Sequence, residues 1–248
     1  MKNRKKPVVF TAVLISILFA AGSAFSAPVH SGAEGYIAVP RAKVARDGRL
    51  SVGIKFTAPS LFTAAVNFVP LPGLELGFGI DIGNNIVHPP LVSLKYQLLS
   101  FGLGMLAEFA AAEGQSDYYT FYFSWQEDII GFNTTIAVGY TLFTPGKIRF
   151  FIGFQKEIFP KVHLIGDFAN FPYRQNATAD YSPSSAALNG IANIGLRFII
   201  TPFLSADIAG MDLMDPERSI SIGATGYFNL WQNEKPLPPT PAVTNKNG

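Results

Sequence analysis

From Arg49 to Thr57 the chain alternates without a fault: Leu50, Val52, Ile54 and Phe56 fall on one face, and Arg49, Ser51, Gly53, Lys55 and Thr57 on the other. Successive side chains of a strand point to opposite sides, so a period of two over nine residues reads as a strand with one apolar and one polar face. Leu74 to Gly83 repeats the pattern, with Leu74, Leu76, Phe78, Ile80 and Ile82 opposed to Glu75, Gly77, Gly79, Asp81 and Gly83. The same reading holds for Val92 to Leu98, Phe101 to Phe109, Tyr119 to Gln126, Phe132 to Thr141, Ile148 to Gln155 and Ser219 to Asn229, and more weakly for Phe62 to Phe68, Val162 to Ala169, Gly190 to Ile200 and Phe203 to Gly210. This makes about twelve strands, each near the 9–11 residues a tilted membrane strand requires.

Alternation alone also fits a soluble sandwich or lipocalin-like barrel, whose apolar face turns inward onto a core. Two features favour a membrane. The polar faces carry Gly, Ala, Ser and Thr, which suit a crowded barrel interior better than a solvated surface. Connections alternate in length as well: tight turns are expected around Leu71 and Pro72, Ser100, Asp128, Pro160 and Pro202, and longer loops from Asn84 to Pro90, Ala112 to Tyr118, Pro172 to Leu188 and Met211 to Glu217. Short periplasmic turns facing longer outer loops mark outer-membrane barrels. The expected fold is therefore an all-β transmembrane antiparallel β-barrel of about 12 strands in a bacterial outer membrane, with both barrel ends in the periplasm.

The N-terminus agrees. Lys2, Arg4, Lys5 and Lys6 precede an apolar run from Val8 to Ala21 and then small residues, the three-part pattern of a secretory signal. The run is shorter than the roughly 20 residues of a membrane-spanning helix. With Ala24 and Ser26 at the −3 and −1 positions, cleavage is expected before Ala27. The expected organisation is a signal peptide over 1–26, a periplasmic leader over 27–48, the barrel over 49–231, and a disordered Pro-rich tail over 232–248.

The net charge of +2, less the four basic residues of the signal, becomes −2. No nucleic-acid partner is implied. Cysteine is absent, which excludes disulfides, thiolate metal sites, a cysteine nucleophile and a lipid-anchoring cysteine. Hydrophobic residues make up 48% and charged residues 15% of the chain, an apolar balance that a barrel facing lipid explains. Aromatic residues near expected strand ends, among them Phe68, Tyr119, Trp125, Phe132, Tyr140, Phe159, Phe203, Tyr227 and Trp231, fit interfacial girdles. Phe228, Leu230 and Trp231 close the last strand with an aromatic signal of the kind read by barrel-insertion machinery.

The stretch from Gly35 to Gly53, GYIAVPRAKVARDGRLSVG, carries a Gly (Gly35), a Pro-x-Ala (Pro40, Ala42) and a Gly-x-Leu (Gly48, Leu50) ahead of the first strand. In this it resembles the start of the YjbH-like outer-membrane proteins linked to exopolysaccharide production. The resemblance covers about nineteen residues. It implies a β-barrel and an envelope-polysaccharide context, and supplies no catalytic residues.

The search for chemistry is otherwise negative. The three histidines, His30, His88 and His163, are too scattered for a metal cluster, and a lipid-facing Ser-His pair of phospholipase type would need His163 outside, whereas the period places it inside. No cofactor, metal or catalytic residue is expected, and the chain is read as not an enzyme. The Asn133-Thr134-Thr135 and Asn176-Ala177-Thr178 matches to a glycosylation acceptor are chance in a bacterial exported chain.

The period points Arg49, Lys55, Glu75, Asp81, Lys95, Glu108, Arg149, Asp167, Arg197 and Asp207 into the lumen, with mixed signs on neighbouring strands. Such charges either pair into a plugging network or line a wet channel. Two function classes stay open: a structural or accessory envelope barrel related to exopolysaccharide export, and a small, poorly selective diffusion channel for oligosaccharide-like solutes. Tyr173, Arg174 and Tyr181, in the longest expected outer loop, combine stackable rings with a planar cation and are the candidates for contact with a polysaccharide outside the cell. The expected partners are outer-membrane lipid, the insertion machinery during assembly, and polysaccharide.

Overall fold

A computed structural model describes residues 26–83, 86–110, 116–142, 148–171, 190–214 and 218–231. The signal segment, the expected tail, and Tyr173, Arg174 and Tyr181 lie outside the described residues.

Two short strands, β1 (Ala27–Pro28) and β2 (Glu34–Gly35), pair with each other ahead of the barrel. The barrel follows with β3 (Arg49–Thr57), β4 (Leu61–Leu71) and β5 (Leu74–Gly83), a two-residue β6 (Ile86–Val87) on the edge of β5, then β7 (Leu91–Leu98), β8 (Phe101–Glu108) and β9 (Tyr118–Ile129). It is completed by β10 (Phe132–Leu142), β11 (Ile148–Phe159), β12 (Val162–Ala169), β13 (Ile191–Thr201), β14 (Leu204–Met211) and β15 (Ser219–Asn229). All pairings are antiparallel; leaving β6 aside, each barrel strand from β3 to β15 pairs with the strand on either side, and β15 pairs with β3 from Ser221↔Thr57 to Asn229↔Arg49, which closes a ring of twelve. Closure leaves no strand edge exposed, the condition for a sheet to satisfy its backbone in lipid.

The faces fall as the alternation requires. Ile54, Phe56 and Ile222 are about half exposed, as are Phe78, Phe121 and Val138, while intervening residues such as Lys55, Thr57, Thr120 and Ala137 are buried. A chain that leaves a continuous apolar belt outside and buries its charges inside is built for lipid around it and not for water. Strand bounds at Arg49–Thr57, Leu74–Gly83, Val162–Ala169 and Ser219–Asn229 coincide with the expected ones. The β9 and β11 strands run three and four residues further, to Ile129 and Phe159, because Glu127, Asp128, Lys156 and Glu157 keep pairing although their alternation is lost.

The short turns gather at one end: 72–73, 99–100, 130–131, 160–161 and 202–203 are all that separates their strands. Ile130 and Gly131 both have positive φ, 55° and 74°, the conformation of the type I′ turn whose twist matches a two-residue hairpin. At this end Leu99, Ile130, Phe159 and Phe203 are largely exposed, and Phe68 meets Trp231 edge-on at 5.6 Å, forming an apolar rim at the level of the lipid interface.

The leader does not lie outside the barrel in the periplasm. Residues 26–42 run through the lumen, and Ala27, His30, Ala33, Glu34, Tyr36 and Ala42 are at most 1% exposed. The physical reason is room. About eight strands give an interior that side chains can fill alone, and twelve give a wider one. Inward glycines widen it further: a Cβ on Gly79 would overlap the carbonyl oxygen of His30, and one on Gly153 would overlap the ring of Tyr36. The inner wall is in part a cast of the segment it contains.

Candidate functional site: the occupied lumen

The segment enters the wall's hydrogen-bond network through its main chain. A tight turn, in which the Val29 N–H donates to Ala33 O and the Gly32 N–H to Val29 O, reverses it beside β4 and β5. Here Asn67 Nδ2 donates to Gly32 O at 3.0 Å, and His30 Nδ1 lies 3.1 Å from Thr63 Oγ1 and 3.6 Å from Asp81 Oδ1. The Glu34 N–H donates to Glu75 Oε1 at 3.0 Å, and the Glu34 carboxylate lies 3.6 Å from Arg49 Nε.

The chain then crosses the barrel. Arg197 Nη2 donates to Tyr36 O at 2.8 Å while the same guanidinium is held by Asp207, its cross-strand partner, with Nε 2.8 Å from Oδ1. Lys55 Nζ donates to Ile37 O at 3.0 Å. On β12, the strand next to that of Arg197, Asp167 Oδ2 accepts three successive N–H groups, from Ile37 at 2.8 Å, Ala38 at 2.7 Å and Val39 at 3.2 Å, while its Oδ1 accepts from Asn193 Nδ2 at 2.6 Å. Three converging N–H dipoles on one carboxylate oxygen form a concave anion cradle in which the protein supplies both halves.

The segment leaves by the end where the short turns lie. Lys95 Nζ donates to Arg41 O, the Ala42 N–H to Thr135 Oγ1, the Lys43 N–H to Gln126 Oε1 and the Val44 N–H to Gln97 Oε1. Gly48, at φ 77°, turns into β3 with the Trp231 ring against it.

Apolar contacts complete the filling. Tyr36 and Val39 pack with Tyr122, Phe151 and Phe171, and Ile37 packs with Ile165, Ala209 and Met211. A cavity of about 10 Å³ remains between the crossover and the wall, lined by Tyr36, Ile37, Lys55, Ile165 and Asp207, room for about one water.

All ten charged residues assigned inward are buried at 9% exposure or less. Glu75 pairs with Lys95 at 2.9 Å and Arg197 with Asp207, each between adjacent strands. Arg49, Lys55, Asp81 and Asp167 meet the lumen segment, as Glu75, Lys95 and Arg197 also do. Near the end opposite the short turns, Arg149 Nε donates to Thr141 Oγ1 at 2.8 Å and its guanidinium lies over the Phe171 ring, and Glu108 ends β8. Sequence reasoning missed the segment's own groups, Tyr36 and the N–H groups of residues 37–39, together with Asn67, Gln97, Gln126 and Asn193. The signal that could have found them is the apolar content of Val29, Tyr36, Ile37 and Val39, which an exposed leader has no reason to carry. Among the described residues no group of three His, Asp or Glu side chains is placed to hold a metal.

No family model and no curated protein matches the chain. Solved structures do: a KdgM porin in complex with disordered oligogalacturonate superposes with TM-score 0.53 at 8% identity, over 73% of this chain and 99% of that one. A second KdgM porin structure gives TM-score 0.51 at 8% identity over the same shares. At this identity the likeness is one of fold. The protein is an outer-membrane β-barrel of porin-like fold, and its own residues 26–42 fill the lumen.

Proposed function

We propose that the protein is a channel for oligosaccharide-like solutes whose path is occupied, at rest, by residues 26–44. The observation that carries this reading is the chemistry of the plug contacts. The wall holds the segment largely through main-chain N–H and C=O groups, with Asp167, Gln97 and Gln126 accepting and Lys55, Asn67, Lys95 and Arg197 donating. A sugar hydroxyl donates and accepts as a peptide group does, so a wall equipped for one is equipped for the other. The fold likeness to a porin named for its complex with oligogalacturonate supports the same solute class. The resemblance of Gly35–Gly53 to YjbH-like starts adds an envelope-polysaccharide context, and that stretch is the one that crosses the lumen and turns into β3. Mixed wall charges favour weakly charged solutes over a strict ion preference. Assembly would use the insertion machinery, for which Phe228, Leu230 and Trp231 supply the closing signal.

The accessory reading has one observation of its own: the Tyr36–Val39–Phe151 and Ile37–Ile165 contacts are packed like a permanent core. Planar-bilayer recording separates the two. Wild-type protein should be nearly silent, and protein lacking residues 28–43 should give discrete steps and pass oligosaccharides in liposome swelling. A refolded barrel that stays silent without the segment would leave the accessory role standing and remove the channel.

A further inference from the structure

We infer that the three wall groups holding the lumen crossover, Asp167, Arg197 and Lys55, are the solute subsite of the open barrel, so that an oligosaccharide and residues 35–39 compete for one set of partners. The inference rests on the channel reading above and names its binding site. Asp167, on β12, presents an oxygen that already accepts from three donors at 2.7–3.2 Å. Arg197, oriented by Asp207, and Lys55, across the crossover, donate to the carbonyls of Tyr36 and Ile37 at 2.8 and 3.0 Å. With the segment withdrawn, these groups would line one side of the lumen, Asp167 and Arg197 on the adjacent strands β12 and β13 and Lys55 on β3, as a carboxylate acceptor beside two cationic donors. Beside them Gly153, where Tyr36 now lies, offers a flat wall without a side chain. Vicinal hydroxyls of a pyranose can donate to such a carboxylate while other hydroxyls, the ring oxygen or a uronate carboxylate accept from the cations. The geometry therefore assigns the crossover the role of an internal stand-in for the solute.

Competition has a readout separate from transport. Because the chain contains no cysteine, a Val39→Cys variant carries a single thiol, in a position that is 4% exposed while the segment is seated. In proteoliposomes its modification by a charged maleimide should be slow. Saturating oligogalacturonate or malto-oligosaccharide should accelerate it about tenfold, equivalent to about 1.4 kcal/mol of differential binding to the open state, whereas the corresponding monosaccharide should do so far less. Adding Asp167→Asn should raise the basal rate and flatten the response. If an oligosaccharide permeates but leaves the Val39→Cys rate unchanged, or if Asp167→Asn alters neither rate, solute and segment do not share a site and the inference is overturned while the channel stands. If neither wild type nor the 28–43 deletion passes any oligosaccharide, the channel reading fails and this inference falls with it.

Discussion

Lys95 Nζ lies 2.9 Å from Glu75 Oε1, and both side chains are wholly inaccessible to solvent. They are directly opposed on β5 and β7, and each also touches the lumen segment: Glu75 accepts the N–H of Glu34, and Lys95 donates to the carbonyl of Arg41. Neutralising one partner leaves a buried charge without its counter-ion, a cost of about 3–5 kcal/mol. Glu75→Gln should therefore lower stability by about that much in urea refolding into lipid, and Glu75→Gln with Lys95→Met should recover most of it. Equal stability of Glu75→Gln and wild type would show that water screens the pair.

Asp167 is the largest single anchor of the segment. Asp167→Ala leaves the N–H groups of residues 37–39 and the Asn193 amide short of an acceptor, at about 1–3 kcal/mol for each buried group that finds no other. The barrel strands do not depend on that carboxylate, so the expected outcome is a closed barrel with a released segment. Chymotrypsin reports it: Tyr36, 1% exposed in the seated segment, should resist cleavage in wild type and be cut in Asp167→Ala. Continued protection would mean that the apolar contacts suffice.

Adjacent positions of β5 should fail in different ways. Phe78 is half exposed on the lipid side, and Phe78→Arg should cost about 2–4 kcal/mol of barrel stability near the midplane. Gly79 faces inward against the carbonyl of His30, so Gly79→Val should expose Tyr36 to protease while the barrel still folds. Folded and unfolded forms separated by gel mobility, read beside Tyr36 cleavage, distinguish the two. The same phenotype from both variants would contradict the assignment of faces.

Gly48 joins the segment to the barrel. Its N–H donates to Val69 O, its carbonyl accepts from the Leu230 N–H, and its φ of 77° leaves no room for a side chain beside the Trp231 ring. Gly48→Ala should cost about 1–3 kcal/mol in backbone strain and more if the indole is displaced. In a Trp125→Phe background, a shift of the Trp231 emission would follow that displacement, and unchanged emission would show that the turn relaxes without moving it.

Much of this protein is local information. A strand's faces depend only on residues two apart, so the alternation of Arg49–Thr57 and Leu74–Gly83 was enough to place Phe78 outside and Lys55 inside, and turn length was enough to set the tight turns together at one end. Local patterning was less informative where both faces are apolar, as at Phe151 and Ile165, which turn inward to pack against Tyr36 and Ile37.

The sequence by itself determined a twelve-stranded barrel, its lipid-facing belt and the inward direction of ten charged side chains, because each follows from a period of two and from the need to close the sheet in lipid. Only the tertiary structure decided what those charges meet. Asp167 and Ile37 are separated by 130 residues along the chain, and no periodicity connects them. Their contact exists because a ring of twelve strands encloses more space than its own side chains fill, and the segment that completes it is held by main-chain groups that every residue carries and no sequence pattern displays.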